Sequence, residues 1–180
     1  MLPIGPLMIE HRLIEKTTRV MKAQLELIQA EKQVDSGLIE RIIHFVRAYA
    51  DRCHHGKEEE ILFRELAKKN LSSEHKRILD ELVEEHQFGR KIVSSLTEAN
   101  QRYKKGETAA LSSIADGLRS LAEFYPEHIK KEDKDFFIPI MDYFSREEKD
   151  AMIREGYELD SRLIHQEYES LVRMFDQAAY

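Results

Sequence analysis

Apolar residues recur at helical spacing through Met8, Ile14, Met21, Leu25 and Ile28 and give way to a polar run at 32–37, which predicts a first helix and its end. The same period predicts a second helix over about 38–68. Ser72, ahead of Ser73 and Glu74, offers a hydroxyl cap and an acidic first turn to a third helix, which Gly106 stops after Lys104 and Lys105. A fourth helix is expected over about 107–140, kinked at Pro126 because proline removes a backbone bond. Ser145-Arg146-Glu147-Glu148 has capping-box spacing and opens a fifth helix, whose buried stripe is expected at Tyr157, Tyr168, Val172 and Phe175. Short links between long helices predict an all-α fold: an up-down-up-down four-helix bundle over about 7–141 with an additional C-terminal fifth helix over about 145–178.

Composition supports this reading, since 7 Gly and 4 Pro in 180 residues are too few for a turn-rich β fold. The length suits a single domain over 1–180. A net charge of -6 without a basic patch argues against nucleic acid as a partner. No apolar run approaches the roughly 20 residues a membrane helix needs, and no leader pattern opens the chain, so no membrane association and a cytoplasmic location are expected. Cys53 is the single cysteine, which excludes an internal disulfide.

Two stretches repeat one chemical phrase. Glu10-His11 is followed by His54 and Glu58, and Glu85-His86 by His128 and Glu132, with almost the same His-to-His separation. In an up-down bundle, residues equidistant from a turn share a height. His11 and His54 are equidistant from the Lys32–Gln33 link, His54 and His86 from Asn70, and His86 and His128 from Glu107, each inside a turn placed without reference to histidine. Four imidazoles are thus expected in one layer.

Helix phase at about 100° per residue refines the set. His54 shares a face with Ile43, Ala50 and Ile61, whereas His55 is turned about 100° to the flank. His128 goes with Ile114, Leu121 and Phe124, and Glu132, about 40° off, is favoured over Asp133 at about 140°. His11 shares its stripe with Leu7, Thr18 and Leu25, and His86 with Leu79, Leu82 and Val93. Burying these groups without a cation would leave polar atoms unpaired at about 1–3 kcal/mol each, so a metal site is expected. Imidazole with carboxylate suits iron, manganese or zinc, and di-iron is the first expectation, with manganese or zinc less favoured.

His11, the run His54-His55-Gly56-Lys57-Glu58-Glu59-Glu60-Ile61-Leu62-Phe63, Glu85-His86, and His128-Ile129-Lys130-Lys131-Glu132 followed by Phe136-Phe137 resemble the hemerythrin-like HHE cation-binding domain over residues 1 to about 140. The resemblance implies two iron ions with an oxo or hydroxo bridge. In it His11 and His128 bind one ion, His54 and His86 the other, and Glu58 and Glu132 bridge them. It departs from the oxygen-carrying members, which have a further His one turn along the third helix where this chain has Arg90.

His165, equidistant with His128 from the Arg146–Glu147 link, is a candidate replacement ligand, with His55, Tyr125 and Glu15 as further candidates for the site or its surroundings. Glu10 and Glu85 suit hydrogen-bond acceptors behind their histidines. Gly56 and Gly89 leave room near His54 and His86, Cys53 is expected to pack, and His44 and His75 to lie at the surface. The leading functional expectation is a di-iron protein binding or reacting with O2, NO or peroxide, in sensing, storage or detoxification. An iron donor for repair of iron centres is less favoured, since only ten residues precede His11 and Cys53 is alone. A structural, metal-stabilised helical module is the third reading. With the chain closing soon after the fifth helix, signalling is expected to need a separate protein partner, and a homodimer is also considered. No nucleophile triad, phosphate loop or thiol pair points to another enzyme class.

Overall fold

The computed structural model describes residues 2–178, with side chains through Glu169, and every regular element among them is helical. The five helices are α1 (Ile4–Glu31), α2 (36–66), α3 (Ser73–Lys104), α4 (110–140) and α5 (Arg146–Ala178). Their starts follow local side-chain chemistry. Asp35 accepts from the Gly37 amide at 2.8 Å to open α2, and Ser72 Oγ accepts from the His75 amide at 3.1 Å to open α3. At α5 the box is reciprocal: the Glu148 amide donates to Ser145 Oγ, and the Ser145 amide donates to the Glu148 carboxylate at 2.8 Å. Gly106 ends α3 at φ 94°, a left-handed conformation that a side chain would strain. The first part of α4, Ala110–Lys131, runs unbroken through Pro126.

Helix α1 packs on α4, α4 on α3, α3 on α2 and α2 on α1, enclosing two apolar clusters. One joins Ile14, Met21 and Ile28 of α1 to Ile39–Ala50 positions of α2, Val93 and Leu96 of α3, and Ile114–Ile129 positions of α4. The other joins Ile4 and Leu7 to Ile61, Leu66, Ile78, Leu82, Phe136 and Phe137. Helix α5 closes the second cluster with Met152 and Leu159, two turns apart on one face. The stripe expected on α5 is corrected here: Tyr157 and Tyr168 are more than half exposed, because among its described side chains α5 buries only the narrow Met152–Leu159 face. Val172 and Phe175 lie outside the described side chains. No helix among the described residues is long and apolar enough to cross a membrane.

The local geometry of α2 and α4 is unusual. Both contain wide π-helical stretches, Val46–His55 and Glu58–Phe63 in α2 and Glu132–Phe136 in α4, where backbone bonds skip one residue more than in an α-helix. The Gly56 amide, for example, donates to Asp51 O.

Candidate metal centre

Between the two clusters lies a polar layer. Leu7 and Ile14 flank His11 along α1, Ala50 and Ile61 flank His54, Leu82 and Val93 flank His86, and Tyr125 and Phe136 flank His128. His11, Glu58, His86 and Glu132 are wholly buried, and His54, His55 and His128 are at most 3% exposed. Phenylalanines seal the imidazoles from above and below. Phe137 stacks on His11 at 5.7 Å, Phe63 on His86 at 5.9 Å and Phe124 on His128 at 5.0 Å.

Within this layer Glu132 lies 3.1 Å from His11 Nε2 and 3.4 Å from His128 Nε2, while Glu58 lies 3.3 Å from His54 Nε2 and 3.4 Å from His86 Nε2. Each carboxylate therefore spans two imidazoles from different helices. The outer nitrogens face a second ring of acids. Nδ1 of His11 is 2.8 Å from Asp133, that of His54 3.0 Å from Glu10, that of His86 2.6 Å from Glu59 and that of His128 2.8 Å from Glu85. An ionised carboxylate only accepts, so each Nδ1 carries a proton and donates it outward, and in the neutral imidazole every Nε2 turns its lone pair to the centre. His11 Nε2 and His54 Nε2 stand 2.9 Å apart in that state. Both oxygens of Glu58, both of Glu132, and Nε2 of His55, His86 and His128 are buried without a hydrogen-bond partner.

Titration behaviour reflects the same crowding. Burial opposes a charged His11, yet Asp133 and Glu132 outweigh it and push the imidazole up to about 9. Burial and then the neighbouring imidazoles hold His54 and His55 well below the ordinary histidine value. Burial followed by the charge of Glu132 drives Glu58 well above the carboxylate range, whereas His128, His11 and His86 overcome burial and hold Glu132 well below it. Lone pairs and carboxylate oxygens converging in a dry layer are the donor set of a transition-metal cation, and they fit one better than they fit each other.

The family model of the hemerythrin HHE cation-binding domain matches residues 3–138. The chain belongs to that family. No curated protein and no solved structure matches it. The hemerythrin match takes in His11, His54, Glu58, His86, His128 and Glu132, six groups of the repeated phrase, and α5 lies beyond it.

The structure brings those six together. Ligand atoms of His11, His54, Glu58 and Glu132 lie within 4.8 Å of one another, and those of His55, His86 and His128 form a second such group. Two groupings coexist in the layer: Glu132 lies between His11 and His128 and Glu58 between His54 and His86, while Nε2 of His11 meets Nε2 of His54 at 2.9 Å. His55 is corrected, from flank to interior. It lies at the end of the π-helical stretch Val46–His55, where each residue advances the face by less than the α-helical angle, so two consecutive histidines both turn inward.

His165 is exposed on α5 and stands apart from the layer. It joins neither group of candidate ligand atoms, and α5 meets the other helices through Met152 and Leu159. Glu15 pairs with Arg12 at 3.0 Å near the surface, and Tyr125 belongs to the first apolar cluster. His44 is exposed beside Glu167, and His75 pairs with Tyr143 Oη at 2.9 Å. Cys53 packs near Asp160, its thiol pushed up to about 12 by burial and then by Asp160 and Glu10, with Lys57 opposing. Asp133, Glu59 and Asp51 went unread as outer acids. The i,i+4 spacing of Asp51 and His55 was the one local signal; Asp133 and Glu59 meet histidines on other helices.

A further link ties α5 to the centre. Lys57 Nζ, 5% exposed as a residue, pairs with Glu10 and, at 2.8 Å, with Asp160 of α5. Glu10 is the acid behind His54, so Asp160, Lys57 and Glu10 form a chain from the outermost helix to a candidate ligand.

Proposed function

We propose that this hemerythrin-family protein holds two iron ions in the His/Glu layer, bridged by Glu58 and Glu132, and binds or reacts with O2, NO or peroxide. The observation that carries the reading is the outward hydrogen bonding of the imidazoles, which leaves their Nε2 lone pairs aimed into a layer that already contains two carboxylates. Two ions there would supply Lewis acidity and, as iron, one-electron redox steps. The chain's own groups prepare the place. Glu10, Glu59, Glu85 and Asp133 fix the imidazole tautomers, and Phe63, Phe124 and Phe137 exclude water.

The size of the approach supports a small ligand. A cleft of about 110 Å³, lined by Val46, Asp51, His55, Gly89, Arg90 and Tyr125 among others, reaches the layer from outside. Pockets for organic ligands run from about 300 Å³. Complete burial of the candidate ligands argues against ready donation of iron to another protein.

The test is metal analysis after anaerobic iron reconstitution, with absorption spectra before and after O2 or NO. Two ions per chain, oxo-bridged ferric bands and resistance to a chelator are expected. Fewer than two ions per chain would refute the di-iron reading, and iron that passes readily to a chelator would favour the donor reading.

A further inference from the structure

His55 shares its burial and its outward acid with the other inward histidines. Its ring stacks on His86 with centroids 3.8 Å apart and planes at 12°, and meets His128 edge-on at 5.7 Å. Its Nε2 is buried and unpartnered beside those of His86 and His128. Its Nδ1 faces a carboxylate too, Asp51 at 3.4 Å, one turn back on the same helix. All five inward imidazoles therefore have an acid behind Nδ1, the arrangement that fixes a ligating imidazole's tautomer.

Arg90 of α3 braces this side of the layer. Its Nε donates to Asp51 at 2.8 Å and its Nη2 to Glu59 at 2.8 Å, the acid behind His86. One guanidinium thereby holds the outer partners of two neighbouring imidazoles. A histidine kept merely as a core residue would have both nitrogens satisfied, since an orphaned buried acceptor is costly.

We propose that His55 Nε2 is a metal ligand, so that the centre is asymmetric: His55, His86 and His128 serve one ion, His11 and His54 the other, and Glu58 and Glu132 are shared. This rests on the two-ion reading above and adds a seventh donor to it. Arg90 is a positioning residue for the three-histidine ion, acting through Asp51 and Glu59.

Nitrogen NMR of the histidine side chains in the intact protein, before and after loading with Zn(II), tests this without mutation. The Nε2 resonance of His55 is expected to move to a metal-bound position together with those of His86 and His128. A His55 resonance that stays at its metal-free position while the others move overturns the proposal. If none of the imidazoles moves, the metal-centre reading itself fails. In parallel, His55→Ala loaded anaerobically with 57Fe(II) is expected to bind one of its two ions at least tenfold more weakly, with added imidazole restoring occupancy. Two ions held with wild-type affinity and an unchanged Mössbauer spectrum would overturn the assignment. Arg90→Gln, at a half-exposed position, is expected to alter the signal of the three-histidine ion alone; Arg90→Lys, which keeps the charge, should recover part of it.

Discussion

Glu58→Gln should act with opposite sign in the metal-free and metal-loaded protein. Glu58 is wholly buried, lies 3.3 Å from His54 and 3.4 Å from His86, and has no hydrogen-bond partner for either oxygen. Without metal, burial and Glu132 raise its pKa well above the unfolded value. A raised folded value means stability that is full below the ordinary carboxylate range and is lost as pH climbs through it, so at neutral pH the metal-free fold carries a penalty. Glutamine cannot ionise and escapes that penalty. If the variant recovers the equivalent of one pKa unit, the metal-free fold gains about 1.4 kcal/mol, which for a chain of this size raises Tm by about 3–6 °C. With metal the sign reverses. Each ion at a thousandfold excess over its Kd adds about 4 kcal/mol to the wild type. Losing a shared carboxylate should weaken each ion by at least the tenfold to hundredfold that outer-shell losses cost. That is about 1.4–2.8 kcal/mol per ion, or a fall in loaded Tm of about 6–20 °C across both. Calorimetric melts of chelator-treated and iron-reconstituted protein at neutral pH provide the comparison. Equal shifts of the same sign in both states would refute the assignment of Glu58 as a bridging ligand.

Metal binding should also release protons. His11, pushed up to about 9, holds a proton at neutral pH that an ion must displace, and the upward shift of Glu58 acts in the same direction, so apparent affinity rises with pH towards about 9. Titration calorimetry in buffers of different ionisation enthalpy measures the release, and an affinity that is flat between about pH 6 and 8 would contradict it. Glu10→Ala removes the acid behind His54 and leaves buried Lys57 with Asp160. A tenfold to hundredfold loss of metal affinity is expected, measured by competition with a chelator, with Glu10→Gln losing less because its amide oxygen still accepts. His165→Ala, on the exposed face of α5, should leave metal content and the iron spectrum unchanged; loss of an ion would return His165 to the centre.

What the sequence made legible was whatever depends on neighbours in the chain or on distance along a helix. The caps at Ser72 and Ser145 are local chemistry, and the level of His11, His54, His86 and His128 follows from equal path lengths to three turns. What it hid was angular. Phase counting with a uniform α-helical step put His55 on the flank, because nothing in Val46–His55 announces a wider turn. Nor do heights alone say which rings meet: Nε2 of His11 lies as close to His54 as to Glu132. The outer acids Asp133 and Glu59 contact histidines far away in sequence, and no local pattern carries that information. On α5 the tyrosines misled for a simpler reason: an aromatic ring with a hydroxyl tolerates water, and a helix covering one cluster needs only a narrow apolar face.

The wide turns set how this scaffold tolerates insertion and deletion. In a loop such as 105–109, gaining or losing a residue changes a connection on the surface. Removing one residue from Val46–His55 would shorten α2 by only about 1.5 Å. It would also turn everything beyond it by one step, somewhat under the roughly 100° of an α-helix, carrying His54, His55 and Glu58 off the centre together. The donor set is therefore held by the rotational bookkeeping of two helices, and lineages of this chain should vary in the length of their links long before they vary in the residue count of α2.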